Sequence, residues 1–178
     1  YGVVKRAAIF KDPDSLKRNL NLYVLSEDAS GKLTQANESL KKNLKVWLNN
    51  VRMINDTVDI LDAKVVDFGI EFSVIANQEF NKYDTLENCL TALRRKFRQP
   101  LFIGEPFFIT DIYNELNKLD SVADVVNVKV TRKTGSNYSN ATVNINDLMS
   151  SDGRYLNVPK NVCFQIRYPR NDIKGSVK

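Results

Sequence analysis

Residues 66–77 read Val-Asp-Phe-Gly-Ile-Glu-Phe-Ser-Val-Ile-Ala-Asn. Apolar Val66, Phe68, Ile70, Phe72, Val74 and Ala76 alternate with Asp67, Gly69, Glu71, Ser73 and Asn77, and only Ile75 breaks the rhythm. A period of two predicts a long strand with one face in a core and one face wet or paired. Such a face must be covered by another element. The stretch just upstream offers a different period. Leu33, Ala36, Leu40, Leu44, Trp47, Leu48, Val51 and Ile54 step by three or four, the spacing of one apolar stripe on a helix. Thr34 is its expected N-cap. Lys41, Lys42, Lys45, Asn49 and Arg52 take the opposite face. Trp47 lies on the stripe and is expected in the core, with anchoring of a partner chain as the alternative.

The remaining pattern repeats this mixture. Residues 3–10 and 20–25 are β-rich, and Asp12-Pro13-Asp14 between them makes a turn. Residues 26–32 form a connecting loop, and 57–60 a short strand or turn. Asp84-Thr85-Leu86-Glu87 has the form of a capping box. It opens a second helix with Leu86, Leu90, Leu93 and Phe97 as its buried stripe. Arg94, Arg95, Lys96 and Arg98 load the last turn of that helix, where cations suit its dipole, and Pro100 stops it. Gly104-Glu105-Pro106 reads as the start of a third helix, because proline fits the first turn. Val126, Val128 and Val130 mark a further strand. Residues 134–146 form a polar loop with a short β-ribbon at 141–145. Val162, Phe164, Ile166 and Tyr168 alternate as a closing strand, followed by a basic, polar tail at 169–178.

The order predicts an α+β fold. It is a two-layer domain with a mixed β-sheet, three helices packed mainly on one face, and a short C-terminal β-ribbon. Residues 1–133 form the α+β core. Residues 134–178 supply the polar loop, closing strand and basic tail, packed on the same domain.

Chemistry is restricted by what the 178 residues lack. There is no histidine. That removes Ser-His-Asp and Cys-His catalysis and histidine-ligated zinc. Cys89 sits just off a helical stripe and Cys163 in the polar phase of the closing strand. Two cysteines make neither a disulfide framework nor a four-ligand metal site. Asp56, Asp59, Asp62 and Asp67 could offer oxygens to a hard cation, but their spacing matches no calcium loop, and a solvated turn is the expectation. No phosphate-cradling or nucleophile-elbow motif is present. No catalytic, cofactor-binding or metal-binding residue is assigned, and no cofactor, small-molecule substrate or membrane partner is expected. The net charge of +5 is mild. The basic helix end together with Lys41, Lys42 and Lys45 could form a phosphate-binding face. No stacked-aromatic RNA motif or helix-turn-helix accompanies it, so a solvated or protein-facing surface is favoured over nucleic acid.

Three stretches carry a resemblance. They are LKVWLNNVRMINDTVDILDAKVVDFGI at 44–70, IGEPFFITDIY at 103–113, and VPKNVCFQIRYP at 158–169 followed by DIKG at 172–175. The first is similar to the helix–turn–strand core of baseplate wedge proteins of T4-type contractile-tailed bacteriophages, within the baseplate J-like group. The second resembles that family's glycine-acid-proline helix start, and the third its C-terminal end. The resemblance implies a structural virion protein, not an enzyme, located in the phage tail baseplate and assembled in the host cytoplasm. It implies contacts with itself and with other baseplate wedge proteins that change when the tail contracts. It also implies that these residues form the C-terminal part of a longer protein. The expected interface residues are Trp47, Arg94, Arg95, Lys96, Arg98, Arg167 and Arg170. The alternative is a basic α+β nucleic-acid-binding module.

Overall fold

A computed structural model describes residues 3–14, 19–53 and 56–178. It shows a mixed α+β fold, as the two periods require. The chain divides into two compact units. The first takes residues 1–65, 102–105 and 159–163. The second takes residues 66–101, 106–158 and 164–178.

The first unit holds a four-stranded sheet. β1 (Val4–Lys11) pairs antiparallel with β2 (Asn19–Glu27). β2 also pairs antiparallel with β3 (Leu33–Thr34) and parallel with β4 (Thr57–Asp62). Asp28 closes the turn between β2 and β3 by accepting from the amides of Ser30 (2.8 Å) and Lys32 (2.9 Å). The core of this unit gathers Leu25, Leu33, Ala63, Ile103 and Cys163. α1 (Glu38–Val51) lies beside β4, where Lys41 reaches Asp62 at 2.7 Å.

α1 departs from the expected helix. Leu33 and Thr34 pair in the sheet, so the helix begins only at Glu38. Its cap is Asn37, whose side chain accepts from the Leu40 amide at 2.7 Å. The two buried members at the start of the stripe, Leu33 and Ala36, therefore lie outside the helix. No residue of α1 is buried, and Trp47 is 60% exposed, so its placement in the core is overturned. Ile54 lies outside the described residues.

The second unit is built on β5 (Lys64–Ala76), which crosses from the first at Val65. β5 pairs antiparallel with β7 (Val122–Arg132) and parallel with β10 (Ile173–Val177). β9 (Val162–Gln165) is the fourth strand of this sheet and pairs with β5. Ile75 lies in the odd phase of β5, off its buried face, and is exposed. The pairing with β7 slips between Ser73 and Val74 and again between Ile75 and Ala76, where Val126 and Ala123 are the extra residues on β7. A bulge inserts one residue and restores the phase of the faces. Slippage on β7 likewise exposes Val126 and buries Val125, Val128 and Val130.

Val66, Phe68, Ile70, Phe72 and Val74 form the buried face of β5. Phe68 meets three rings, Phe97, Phe107 and Phe164, at centroid distances of 6.2, 5.0 and 5.5 Å, each near edge-to-face. α2 (Lys82–Lys96) packs against β10, α3 (Thr110–Asn117) against β7, and the two helices against each other. The α2 cap is Asn81, which accepts from the Tyr83 amide, and the Asp84 capping box is not formed. Its deepest residues are Thr85, Cys89, Ala92 and Leu93, while Leu86 and Leu90 are half-buried. Cys89 is thus at the centre of the buried face. Cys163 is also fully buried, against its expected polar phase.

The Gly104-Glu105-Pro106 helix start is not formed. Gly104 has φ +70 and turns the chain. β6 (Phe107–Phe108) then pairs with β8 (Tyr155–Leu156) before α3 begins at Thr110. The 141–145 stretch forms no ribbon. One helical turn, α4 (Ile145–Leu148), follows it instead. The closing strand ends at Gln165. After it come one turn, α5 (Pro169–Asp172), and then β10, so the tail is part of the sheet, with Ile173 buried. Among the described residues, no helix is long and apolar enough to cross a membrane.

These placements separate two aromatic truncations. Phe68→Ala should destabilise the protein by about 3–5 kcal/mol, the range for emptying a core aromatic site. Trp47→Ala should stay within roughly 0.5 kcal/mol. Urea unfolding of the two variants measures the contrast.

Candidate functional site

The basic residues at the end of α2 do not act as one cluster. Successive helical residues turn by about 100°, so positions four apart share a flank and neighbours do not. Arg94 and Arg98 face α5, where they line an open groove of about 450 Å³ with Arg167, Tyr168, Pro169, Arg170 and Asn171. Lys96 points elsewhere and sits 3.9 Å from both Asp111 and Glu115. Arg95 is exposed and does not line the groove. Four of the seven expected interface residues are thus brought together. Arg95 and Lys96 lie beside them, and Trp47 belongs to the other unit.

The groove is held by a polar clamp beneath it. Asp172 is 1% exposed. One carboxylate oxygen accepts from the Tyr138 hydroxyl at 2.7 Å, and the other from the Tyr168 amide at 2.8 Å. The amides of Asn171 and Asp172 donate back to the Tyr168 carbonyl, both at 2.8 Å, closing the α5 turn. The Tyr138 and Tyr168 rings meet edge-to-face at 5.7 Å. Arg167 lies over the Tyr168 ring at 5.3 Å and donates from Nε to its hydroxyl at 3.1 Å. Arg94 Nε reaches the Pro169 carbonyl at 3.4 Å. Both α5 and the loop carrying Tyr138 are therefore tied to one buried carboxylate. A second buried carboxylate, Asp67 on β5, accepts from the Ser139 amide at 2.5 Å and fixes the same loop.

The electrostatics are one-sided. Among the described residues, none of the four groove arginines forms an ion pair. No carboxylate lines the groove. Asp172 lies underneath, with both oxygens engaged. Guanidinium groups suit carboxylates and phosphates because their donors form a planar fork, and they also stack on aromatic rings. The arrangement can hold an anionic side chain or segment.

The other chemistry-bearing residues are dispersed. Asp59 accepts from Asn19 at 3.0 Å, Asp62 is paired with Lys41, and Asp67 binds Ser139. No group of three or more metal-ligating side chains occurs among the described residues. Burial pushes both thiols, Cys89 and Cys163, up to about 11. Lys41, Lys42 and Lys45 line a different surface with Glu38 and Asp59, where opposite charges offset them.

Sequence reasoning missed Tyr168, Tyr138 and Asp172. Tyr168 lies beyond the end of β9, and the pattern of the last strand gave no sign of a turn at Pro169. The one usable signal was Pro169 itself, which removes a ladder donor and suits a first helical turn. No known protein-family model matches the chain, and a comparison with characterised proteins finds no match.

Two outcomes follow from the buried groups. Hydrogen bonding to Asp172 and burial raise Tyr138 from its ordinary 10 to about 12. The folded state therefore favours the protonated phenol. Its contribution to stability is complete below about pH 10 and is lost as pH rises to about 12. Thermal unfolding across that window should show a drop that Tyr138→Phe removes. Separately, neither thiol should react with a water-soluble disulfide reagent at pH about 8 until the protein is unfolded.

Proposed function

We propose that the protein is a non-enzymatic structural subunit that works through protein–protein interfaces, a baseplate wedge component of a contractile phage tail. The observation that carries the interface reading is the convergence of Arg94, Arg98, Arg167 and Arg170 on one groove with no carboxylate in its lining. Arginine beside exposed tyrosine is the composition of binding hot spots. Four like charges held together repel one another, and an acidic partner surface relieves that repulsion. The baseplate assignment rests on the resemblance of residues 44–70, 103–113 and 158–175 to wedge proteins. In that setting the groove would grip a neighbouring wedge subunit, and contraction would favour a second arrangement of the same contacts.

The same guanidiniums, none of them in an ion pair among the described residues, also support a second reading, in which the anion is a nucleic-acid backbone. The two readings differ in salt response and in partner. Phosphate contacts would make affinity fall steeply with salt, with a slope set by the number of contacts.

The protein should sediment as an oligomer and be found in purified virions by mass spectrometry. The double variant Arg98→Glu, Arg170→Glu should weaken that association by about tenfold or more. A protein that stays monomeric and is absent from virions would sink the wedge reading. Tight, salt-sensitive binding of DNA or RNA by the unaltered chain, lost in the double variant, would favour the second.

A further inference from the structure

One exposed stripe of α2 carries charges of both signs, sorted by end. Asp84, Glu87, Thr91, Arg94 and Arg98 follow one another at alternating spacings of three and four residues. A turn of about 100° per residue places them within an arc of about 80°. That arc lies opposite the buried Thr85, Cys89, Ala92 and Leu93. All five are exposed except Arg94, which is half-buried where it reaches Pro169. Lys82, the sole cation between residues 77 and 93, lies well off the stripe. Along the axis, Glu87 and Arg94 are about 10 Å apart, and Asp84 and Arg98 about 21 Å. The two ends do not pair within the chain. Among the described residues, none of the four charged groups forms an ion pair. Beside the acidic end stands Tyr83, 82% exposed. Beside the basic end lies the groove with Arg167, Tyr168, Pro169 and Arg170.

Alternating spacings of three and four form the seam along which two helices pack side by side, at a crossing angle of about 20°. The seam of α2 complements itself in antiparallel order only. With a two-fold axis through Thr91, Asp84 lies seven residues before the axis and Arg98 seven after it, so each Asp84 faces Arg98 of the other copy. Glu87, four before, faces Arg94 and Arg95, three and four after. Thr91 meets its own copy, and its small side chain lets the helices approach. Parallel alignment would set arginine on arginine, which is costly.

We propose that α2 pairs with α2 of a second copy, antiparallel about Thr91, and that Tyr83 of each copy enters the arginine groove of the other. The proposal rests on the reading of that groove as a protein interface and names its occupant. Exposed ion pairs are individually weak. Tyr83 adds apolar contact with Tyr168, Pro169 and the arginine stems, and guanidiniums left without a carboxylate stack on its ring. The junction forms twice in one dimer, as two-fold symmetry requires. A nucleic-acid backbone suits the stripe less well, because a strand running from the basic end along α2 meets Glu87 and Asp84.

The test reverses one end at a time. Asp84→Arg with Glu87→Arg makes one variant, and Arg95→Glu with Arg98→Glu the other, which keeps Arg94 and its contact with Pro169. Sedimentation equilibrium should show the unaltered protein as a dimer and each variant associating with itself about a hundredfold more weakly. An equimolar mixture of the two variants should recover a 1:1 dimer, since the reversed charges match again across copies. Under mild oxidation, Thr91→Cys should form an intermolecular disulfide about tenfold faster than Lys82→Cys, because only a residue on the axis meets itself. Four results would overturn the proposal: an unaltered protein that stays monomeric at about 1 mM, a mixture that recovers nothing, equal cross-linking at the two positions, or growth beyond dimers through the same residues. If the mixture fails while Arg98→Glu, Arg170→Glu still weakens association, the groove remains an interface and the α2 pairing falls. If that double variant changes nothing, the groove reading falls and the pairing with it.

Discussion

The second unit depends on a strand that is covered on both faces. Phe68 enters an aromatic cluster on one side of β5. Asp67 and Gly69, on the other side, are buried as well. The first face is ordinary apolar burial. The second is polar, and burying a carboxylate is costly unless its oxygens are bonded. Asp67 meets that demand by taking the Ser139 amide, which draws the 134–139 loop onto the sheet. Gly69 leaves room for the tail, because a Cβ there would sit 2.6 Å from the Asp172 carbonyl oxygen. A side chain at position 69 would push against backbone. The tail therefore passes close over β5 and continues as β10 in parallel register with it.

The arginine groove is a consequence of that packing. Asp172 is buried where the tail crosses the sheet, and its two oxygens bind Tyr138 and the Tyr168 amide. Those bonds shape the α5 turn and so place Arg167 and Arg170 opposite Arg94 and Arg98. A cationic surface is thus mounted on a buried, fully engaged carboxylate. Rigid support of this sort lowers the ordering cost of binding, since the guanidiniums are presented on fixed backbone.

Parts of this were legible residue by residue. The alternation over 66–77 located β5 within two residues of its ends, and the helical spacing of Leu86, Leu90 and Leu93 located α2, with Leu93 buried. The α+β class followed from those two periods. The failures have physical reasons. Leu33 and Ala36 continue the apolar spacing of α1, yet Leu33 pairs with β2, and periodicity cannot detect a sheet hydrogen bond. Trp47 keeps the right spacing, but the helix has no buried residue, so spacing alone overstated its cover. Asn81 capped α2 in place of Asp84 because either side chain can accept an orphan amide and the packing of Thr85 and Cys89 sets where the helix starts. Gly104-Glu105-Pro106 obeys the rule for a helix start, but the positive φ of Gly104 makes it a turn. Of the site, the individual arginines were visible as a basic helix end and a basic tail. Their meeting was not, because residues 94 and 170 are far apart in the chain.

The sequence by itself determined the class of the fold, the long central strand, and the absence of histidine chemistry, because composition and local period depend only on neighbouring residues. Only the tertiary structure decided that the polar tail becomes a parallel strand, that Asp67 and Asp172 are buried, and that four arginines share one groove. Each of those facts requires partners distant in sequence. A carboxylate in a polar stretch looks solvated until a tyrosine thirty-four residues away supplies its hydrogen bond.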